Sequence, residues 1–378
     1  MRVLFSCTAG DGHFTPLVPL ARAFADGGHE VAFATAAEFA DRVAAAGFVT
    51  LPAGVTLREL RPQMEAFWIR IEQVPPHERR PETFAYRFAT LDAPAKLDAL
   101  LVEATAWQPD LIVHETADLA APPVAAALGV PSAQHSFGRL LPHACLERAA
   151  PLTALLWERL GLEPDPLSGE YRGPYVDICP PSLQDASPPD GTRVLQLQPA
   201  TPGAGDPAWR ARLAGDRPVV YVTLGTVFNH TDRFSTILAA LGEVDATVLT
   251  TIGRNNDPVE LGPLPANVIV ERYVPQADVL PFCDVAVGHG GSGSTLGALA
   301  HGLPMLLLPH GADQFENARA CAALGVAQVL MPDALTAERV ASAVGALLAE
   351  PAPRAAAGQV AQEIAAMSTP QEVVAALL

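Results

Sequence analysis

Short apolar runs closed by glycine-containing turns alternate with stretches of helical period along most of the chain. "RVLFSCT" (2–8) reads as a strand and "AGDGHFT" as the turn after it. In "PLVPLARAFADGG" (16–28), Leu17, Leu20 and Phe24 share one helical face. Thr15 suits the N-cap, Pro16 the first helical position, and Gly27 and Gly28 the end. "HEVAFAT" (29–35) is the next strand. This order begins a doubly wound parallel sheet, an α/β architecture.

The rhythm returns with a strand at 109–115, a helix at 119–128 and a strand at 130–136. Between the two blocks lies an aromatic-rich insertion, 60–95, and a second irregular stretch follows at 137–175. Proline and glycine cluster from 180 to 218, the clearest linker. Beyond it, strands are predicted at 218–226, 246–253, 267–275, 285–291 and 304–310. Helices fit at 232–242, 293–301, 314–324 and 336–349. A length of 378 residues exceeds one ordinary core. The expected division is 1–200, a linker at 201–217, and 218–378, with a last helix that packs back on the first domain.

Composition changes this picture in three ways. The 49% hydrophobic and 17% charged residues describe a globular chain, and scarce lysine suits a high-GC bacterial origin. The net charge of −17 opposes nucleic acid and anionic membranes as partners, so any bound anion must be held locally. Five cysteines without a C-x-x-C pair, no signal-peptide pattern and no membrane-span run lead to the expectation of a cytoplasmic protein. Nothing in the pattern opposes a homodimer.

"HGGSGSTLGALAHGLP" (289–304) follows a strand and opens a helix. Bare N–H groups at a helix N-terminus attract anions, and Gly290, Gly291 and Gly293 let a phosphate approach the backbone. Ser292, Ser294, Thr295 and His289 add donors. The alternative is a plain glycine turn. In "PHGADQFENA" (309–318), Asp313 and Gln314 fall beyond a strand end and can bond sugar hydroxyls; Asp313 alone could equally be an N-cap.

Residues 272–327, from "RYVPQADVLPFCDVAVGHGGSGSTLGALAHGLP" to "ALGVA", resemble the donor-binding signature of family 1 glycosyltransferases. Within that family they are similar to the actinomycete enzymes that glycosylate antibiotics. The resemblance implies a GT-B fold: two Rossmann-like domains facing across a cleft, the first for the acceptor and the second for a nucleotide-sugar donor. By position it implies that His289, Gly291, Ser292, Gly293 and Ser294 meet the diphosphate. Gly225 and Thr226 in "TLGT" form the opposing phosphate loop, and Tyr273, Val274 and Gln276 frame the base. Asp313 and Gln314 would meet the sugar. Serine stands at 294 where many members have threonine, and tyrosine at 273 where several have tryptophan. Gly297 stands where glucose-using relatives have a ribose-gripping glutamate, which favours a TDP-sugar over a UDP-sugar.

"GDGHFTPL" (10–17) puts His13 just before a helix, whose dipole disfavours imidazolium. A neutral ring there can act as general base on an acceptor hydroxyl, as the family's catalytic histidine does; capping the first helix is the alternative. Glu115 stands where the family often has the aspartate that orients this base, with Asp118 in reserve; a solvated strand-end carboxylate is the other reading of Glu115. Phe67, Trp68, Phe84, Phe88, Phe137 and Leu140 would line a hydrophobic acceptor pocket, against ordinary packing for any one of them.

The implied chemistry is a single inverting displacement without cofactor or metal: the chain has no D-x-D, and His114 with Glu115 is too little for a metal site. The implied partners are a nucleotide-sugar donor and a lipophilic small-molecule acceptor. Two other classes compete: a sugar-nucleotide epimerase or hydrolase of the same fold, and a non-catalytic nucleotide-sugar binder, against which His13 argues.

Overall fold

The computed structural model describes the chain apart from residues 76–77, 200–204, 226–230 and 255, and apart from the side chains of 231–233. It divides into two compact units. The first comprises 1–179, 186–197 and 368–378, and the second comprises 180–185 and 198–367.

The first unit holds a seven-stranded parallel sheet. Its strands are β1 (Arg2–Ser6), β2 (Glu30–Thr35), β3 (Val49–Pro52), β4 (Leu111–Glu115), β5 (Ser132–His135), β6 (Tyr175–Asp177) and β7 (Val194–Gln196). Their order is β3-β2-β1-β4-β5-β6-β7. β4 is buried along its whole length, because helices cover both faces of a parallel sheet. The second unit holds β8 (Val219–Thr223), β9 (Thr247–Thr251), β10 (Val268–Glu271), β11 (Val285–Gly288), β12 (Met305–Leu307) and β13 (Ala327–Val329), in the order β10-β9-β8-β11-β12-β13. Each sheet changes winding direction once, between β1 and β4 and between β8 and β11. Ligands of doubly wound sheets gather beyond the carboxyl ends of such strand pairs.

Several sequence expectations need correction. Helical structure after β1 begins at Asp11, not Pro16: the segment Asp11–Phe14 runs into a 3₁₀ turn, Thr15–Leu17, and then the helix Val18–Asp26. Gly10 takes the N-cap position, and its carbonyl accepts from the N–H groups of His13 and Phe14. Thr15 therefore caps nothing. The tight 3₁₀ turn accommodates Pro16, which has no N–H to give.

The stretches read as irregular are largely helical. The insertion contains helices Arg61–Ile71 and Arg79–Phe84, then a π-helical segment Ala85–Asp92 that continues into the helix Ala93–Trp107. Helix His143–Arg159 runs through Pro151. Strands β3, β6, β7 and β13 are short and partly polar, too weak for a period-2 signal.

Within 180–218, β7 joins the first sheet, and the helix Pro207–Leu213, capped by Asp206 on Ala208 N at 2.8 Å, belongs to the second unit. The second unit also carries helices Thr231–Leu241, Ser292–Ala300, Gln314–Ala323, Ala337–Ala349 and Pro351–Ala366. The last helix, Pro370–Leu377, opens with a Thr369–Glu372 capping box and packs against Val18–Asp26 in the first unit. No helix among the described residues is long and apolar enough to cross a membrane.

Candidate active site

At the β1–β4 switch point the structure brings His13 and Glu115 together, with Nδ1 3.1 Å from Oε1. The His13 side chain is 19% exposed and that of Glu115 is fully buried. The separation is that of a hydrogen bond, but the two atoms are not aligned as one. Glu115 also accepts from Thr8 N (3.3 Å), Thr8 Oγ1 (3.2 Å) and Ala117 N (2.6 Å). Burial by itself would raise this carboxyl. The His13 ring and the Ala117 and Thr8 N–H groups outweigh that and hold it below the usual carboxylate range.

Asp118 does not share this duty. Its Oδ2 takes Ser6 Oγ at 2.6 Å and Lys96 Nζ at 2.7 Å, a buried ion pair that binds the end of β1 to the loop after β4. Next to Glu115, His114 faces Glu170 across 3.7 Å in a fully buried setting. Burial, with repulsion from Glu115, Asp118 and Asp165, keeps Glu170 well above the usual carboxylate range, and burial holds His114 low.

Of the six expected acceptor residues, Phe88 and Phe137 set ring edges against His13, with centroids at 5.6 and 5.1 Å. Phe84 is buried behind Phe88 at 5.0 Å. Phe67 stacks on Tyr86 at 4.3 Å and helps line a groove of about 400 Å³ with Ile71, Val74 and Leu152 and with the charged Arg70, Glu82 and Arg148. Trp68 is exposed beside Phe67, and Leu140 is buried.

At the β8–β11 switch point the geometry is set by missing side chains. His289 lies between Gly225 and Gly291. A Cβ on Gly225 would stand 2.6 Å from its ring, and a Cβ on Gly291 would overlap Nε2. Gly225 also has φ +77, a left-handed conformation suited to glycine. Gly291 is the N-cap of helix Ser292–Ala300 and no side chain caps it, so the first-turn N–H groups emerge at the helix end with the positive end of the dipole. A Cβ on Gly293 would meet open space. Thr226 lies outside the described residues.

The hydroxyls here are turned inward. Ser294 Oγ donates to Gly291 O at 3.1 Å, and Ser292 Oγ donates to Asp313 Oδ2 at 2.7 Å. Asp313 occupies the N-cap position of Gln314–Ala323 but its side chain makes no capping bond. Gln314 is buried, and its Oε1 accepts from His310 N at 2.8 Å and Gly311 N at 3.1 Å. Tyr273 is 44% exposed with the Arg254 guanidinium 3.6 Å above its ring, while Val274 is buried. Gln276 lines a small cavity with Tyr221, Thr223, Ser294 and Thr295.

Sequence reasoning missed two tethers. Asn317 Nδ2 donates to Gly290 O (2.9 Å), Ser292 Oγ (3.2 Å) and Asp313 Oδ2 (2.9 Å), tying the glycine turn to the next helix. Its spacing of four from Asp313 was a helical signal available in the sequence. Lys96 was visible as the only lysine in the chain, but nothing local says that it is buried.

Comparison with known proteins agrees with this architecture. Residues 22–225 match the N-terminal domain, and 235–378 the C-terminal domain, of the family described as erythromycin biosynthesis protein CIII-like. The chain is 36% identical to the elloramycin glycosyltransferase ElmGT of Streptomyces olivaceus, over 100% of this chain and 97% of the relative. It is 34% identical to the L-demethylnoviosyl transferase of Streptomyces niveus, over 99% and 96%. The Streptomyces glycosyltransferase SsfS6, solved with thymidine diphosphate, superposes with a TM-score of 0.80 at 25% identity, covering 100% of this chain and 99% of that one. With two doubly wound parallel-sheet units of the GT-B type and matches to both domains, the chain belongs to the erythromycin biosynthesis protein CIII-like family of glycosyltransferases.

Proposed function

We propose that the protein is an inverting, metal-independent glycosyltransferase of antibiotic biosynthesis. It moves a sugar, by preference a deoxysugar, from a TDP-sugar to a hydroxyl of a hydrophobic natural product: a polyketide, macrolide or enediyne-like aglycone. A UDP-sugar is the alternative donor. The observation that carries this reading is the His13–Glu115 contact. With Nδ1 turned to the carboxylate, Nε2 accepts the proton of the acceptor hydroxyl. The acceptor oxygen forms its bond to the anomeric carbon as the bond from that carbon to the diphosphate oxygen breaks. The electron pair leaves with the nucleoside diphosphate, and the configuration inverts. Glu115 stabilises the imidazolium.

Leaving-group charge is met by the first-turn N–H groups of Ser292–Ala300 and by His289. The reading invokes no divalent ion, so EDTA leaves the rate unchanged. The N-terminal region, 1–200, serves the acceptor and 218–378 the donor. Phe88 and Phe137 beside the base support an apolar acceptor. TDP is preferred because position 297 offers no ribose grip: a Cβ there would already stand 3.0 Å from Gln276 Oε1. The thymidine diphosphate bound by the relative SsfS6 points the same way. Five buried free thiols suit the cytoplasm.

Calorimetric titration of TDP and UDP, paired with a transfer assay, tests this. TDP binds more tightly than UDP, and His289→Ala weakens it about tenfold, as expected for loss of one hydrogen bond to a charged group. His13→Ala keeps TDP affinity and loses transfer by about 10²–10⁴-fold. Undiminished turnover in His13→Ala removes the base from the mechanism.

A further inference from the structure

The basic residues of this chain number 24, and all but Lys96 are arginines. That single lysine is 3% exposed, on the helix Ala93–Trp107, at the carboxyl ends of β1 and β2. Its ammonium donates to Cys7 O at 2.8 Å, Ala34 O at 2.9 Å and Asp118 Oδ2 at 2.7 Å. Three donors meet three acceptors, so the ion is fully satisfied. Arginine could not substitute: its planar fork does not converge on three acceptors around one atom.

The Cys7 carbonyl and the Thr8 N–H belong to one peptide group. That N–H donates to Glu115 Oε1, the oxygen that faces His13. A cation on the carbonyl oxygen polarises the peptide and strengthens its N–H as a donor, the cooperative behaviour of hydrogen-bond chains in a low dielectric. We propose that Lys96 is a positioning residue for the transfer reaction, acting through the Cys7–Thr8 peptide to orient Glu115 and set its hold on His13. Asp118 is its counter-ion. Lys96 touches no substrate. The proposal rests on the reading of His13 as the base.

The other ionisable groups that act on Glu115 or His13 are Asp92, from the π-helical segment, Cys7 at the end of β1, His114 and His135 on β4 and β5, and Glu170 behind β4. None of them bonds the Cys7–Thr8 peptide as Lys96 does, and so a change at 96 has its own signature.

The test is the pH–rate profile of Lys96→Met combined with Asp118→Asn, which removes both charges and strands neither. Thermal unfolding and TDP affinity stay near wild type. The turnover number falls about tenfold, the loss of one charge-assisted hydrogen bond, with acceptor KM unchanged. The acid limb moves up by about half a pH unit, because a less supported Glu115 holds the proton on His13 more strongly. Lys96→Gln combined with Asp118→Asn, which keeps a donor at position 96, moves both quantities the same way by less. A double variant with wild-type turnover and profile overturns the proposal.

If the double variant does not fold, lysine-labelled wild type gives a single side-chain NMR signal. That signal moves across the acid limb in wild type and stays still in His13→Ala; an unmoving wild-type signal overturns the proposal. His13→Ala assayed alongside separates the failures. Full turnover there overturns the base reading and this proposal together. Lost turnover there, with an unaltered double variant, overturns this proposal alone.

Discussion

The two switch points occupy the same place in two similar sheets and are built in opposite ways. Beyond β1 and β4 the space is filled by ionisable side chains: His13, Glu115, Asp118 and Lys96, with hydrogen bonds to each carboxylate. Beyond β8 and β11 the described residues keep the backbone bare, with glycines on both sides of His289 and a helix end without a side-chain cap. General-base chemistry needs a proton acceptor whose basicity is set by neighbours, and only side chains supply that. Holding a diphosphate needs many N–H donors at close range, which the backbone supplies once Cβ atoms are out of the way. On the proposed function, one topology serves two chemistries through what is added to it or removed from it.

The sharpest way to break this contrast is to add one methyl group on each side. Gly291→Ala forces a Cβ into the His289 ring. TDP affinity by calorimetry is expected to fall about 10- to 100-fold, the equivalent of an overpacking cost of 1–3 kcal/mol. Unchanged affinity would mean that the bare backbone is not the donor site. Next in size, Glu115→Gln keeps the shape and removes the charge. Turnover drops about tenfold, and the acid limb of the rate profile moves to lower pH because the imidazolium loses its partner. An unmoved limb would disconnect Glu115 from the base.

Smaller is the effect of Glu170→Gln, the control for a carboxyl on the other side of β4. Burial makes the folded state hold the Glu170 proton at pH values where the unfolded chain has lost it. Its stabilising contribution is complete below the ordinary carboxylate range and declines as pH rises through that range towards the folded value. Glu115 has the opposite sign: its contribution is present at neutral pH and is lost as pH falls through its depressed folded value. In Glu170→Gln, unfolding followed against pH therefore loses a decline, while rate and TDP affinity are unaffected. A steeper decline would mean that Glu170 is charged in the fold. Smallest of all, Gly12→Ala meets nothing within 4 Å and shifts stability by less than about 0.5 kcal/mol. A large loss there would erase the difference between the two switch points.

The repeating α/β rhythm, the glycine turn at 289–293, and His13 and Glu115 as residues at or beyond strand ends were legible because each depends on local pattern: period, turn chemistry and position along an apolar run. The buried strands β1, β4, β8 and β11 announce themselves as apolar runs for the same reason. The short strands β6, β7 and β13 gave no such signal, since pairing with a neighbour, and not their own sequence, makes them strands. Pro16, read as the first helical position, misled because helical structure already starts at Asp11 and the proline sits inside a 3₁₀ turn.

Which carboxylate meets His13 was open in the sequence, where Glu115 at the end of β4 and Asp118 on the loop after it stand three apart. The fold decides it by bringing Lys96, from a helix that crosses the ends of two strands, onto Asp118. Asp313 likewise finds Ser292 and Asn317 in place of its own helix end. The sequence by itself determined the two doubly wound sheets and the residue types at their switch points, because backbone periodicity and turn chemistry are local. Only the tertiary structure decided which charges pair, because a partner in space is chosen by the packing of distant elements and leaves no trace in the spacing of neighbours.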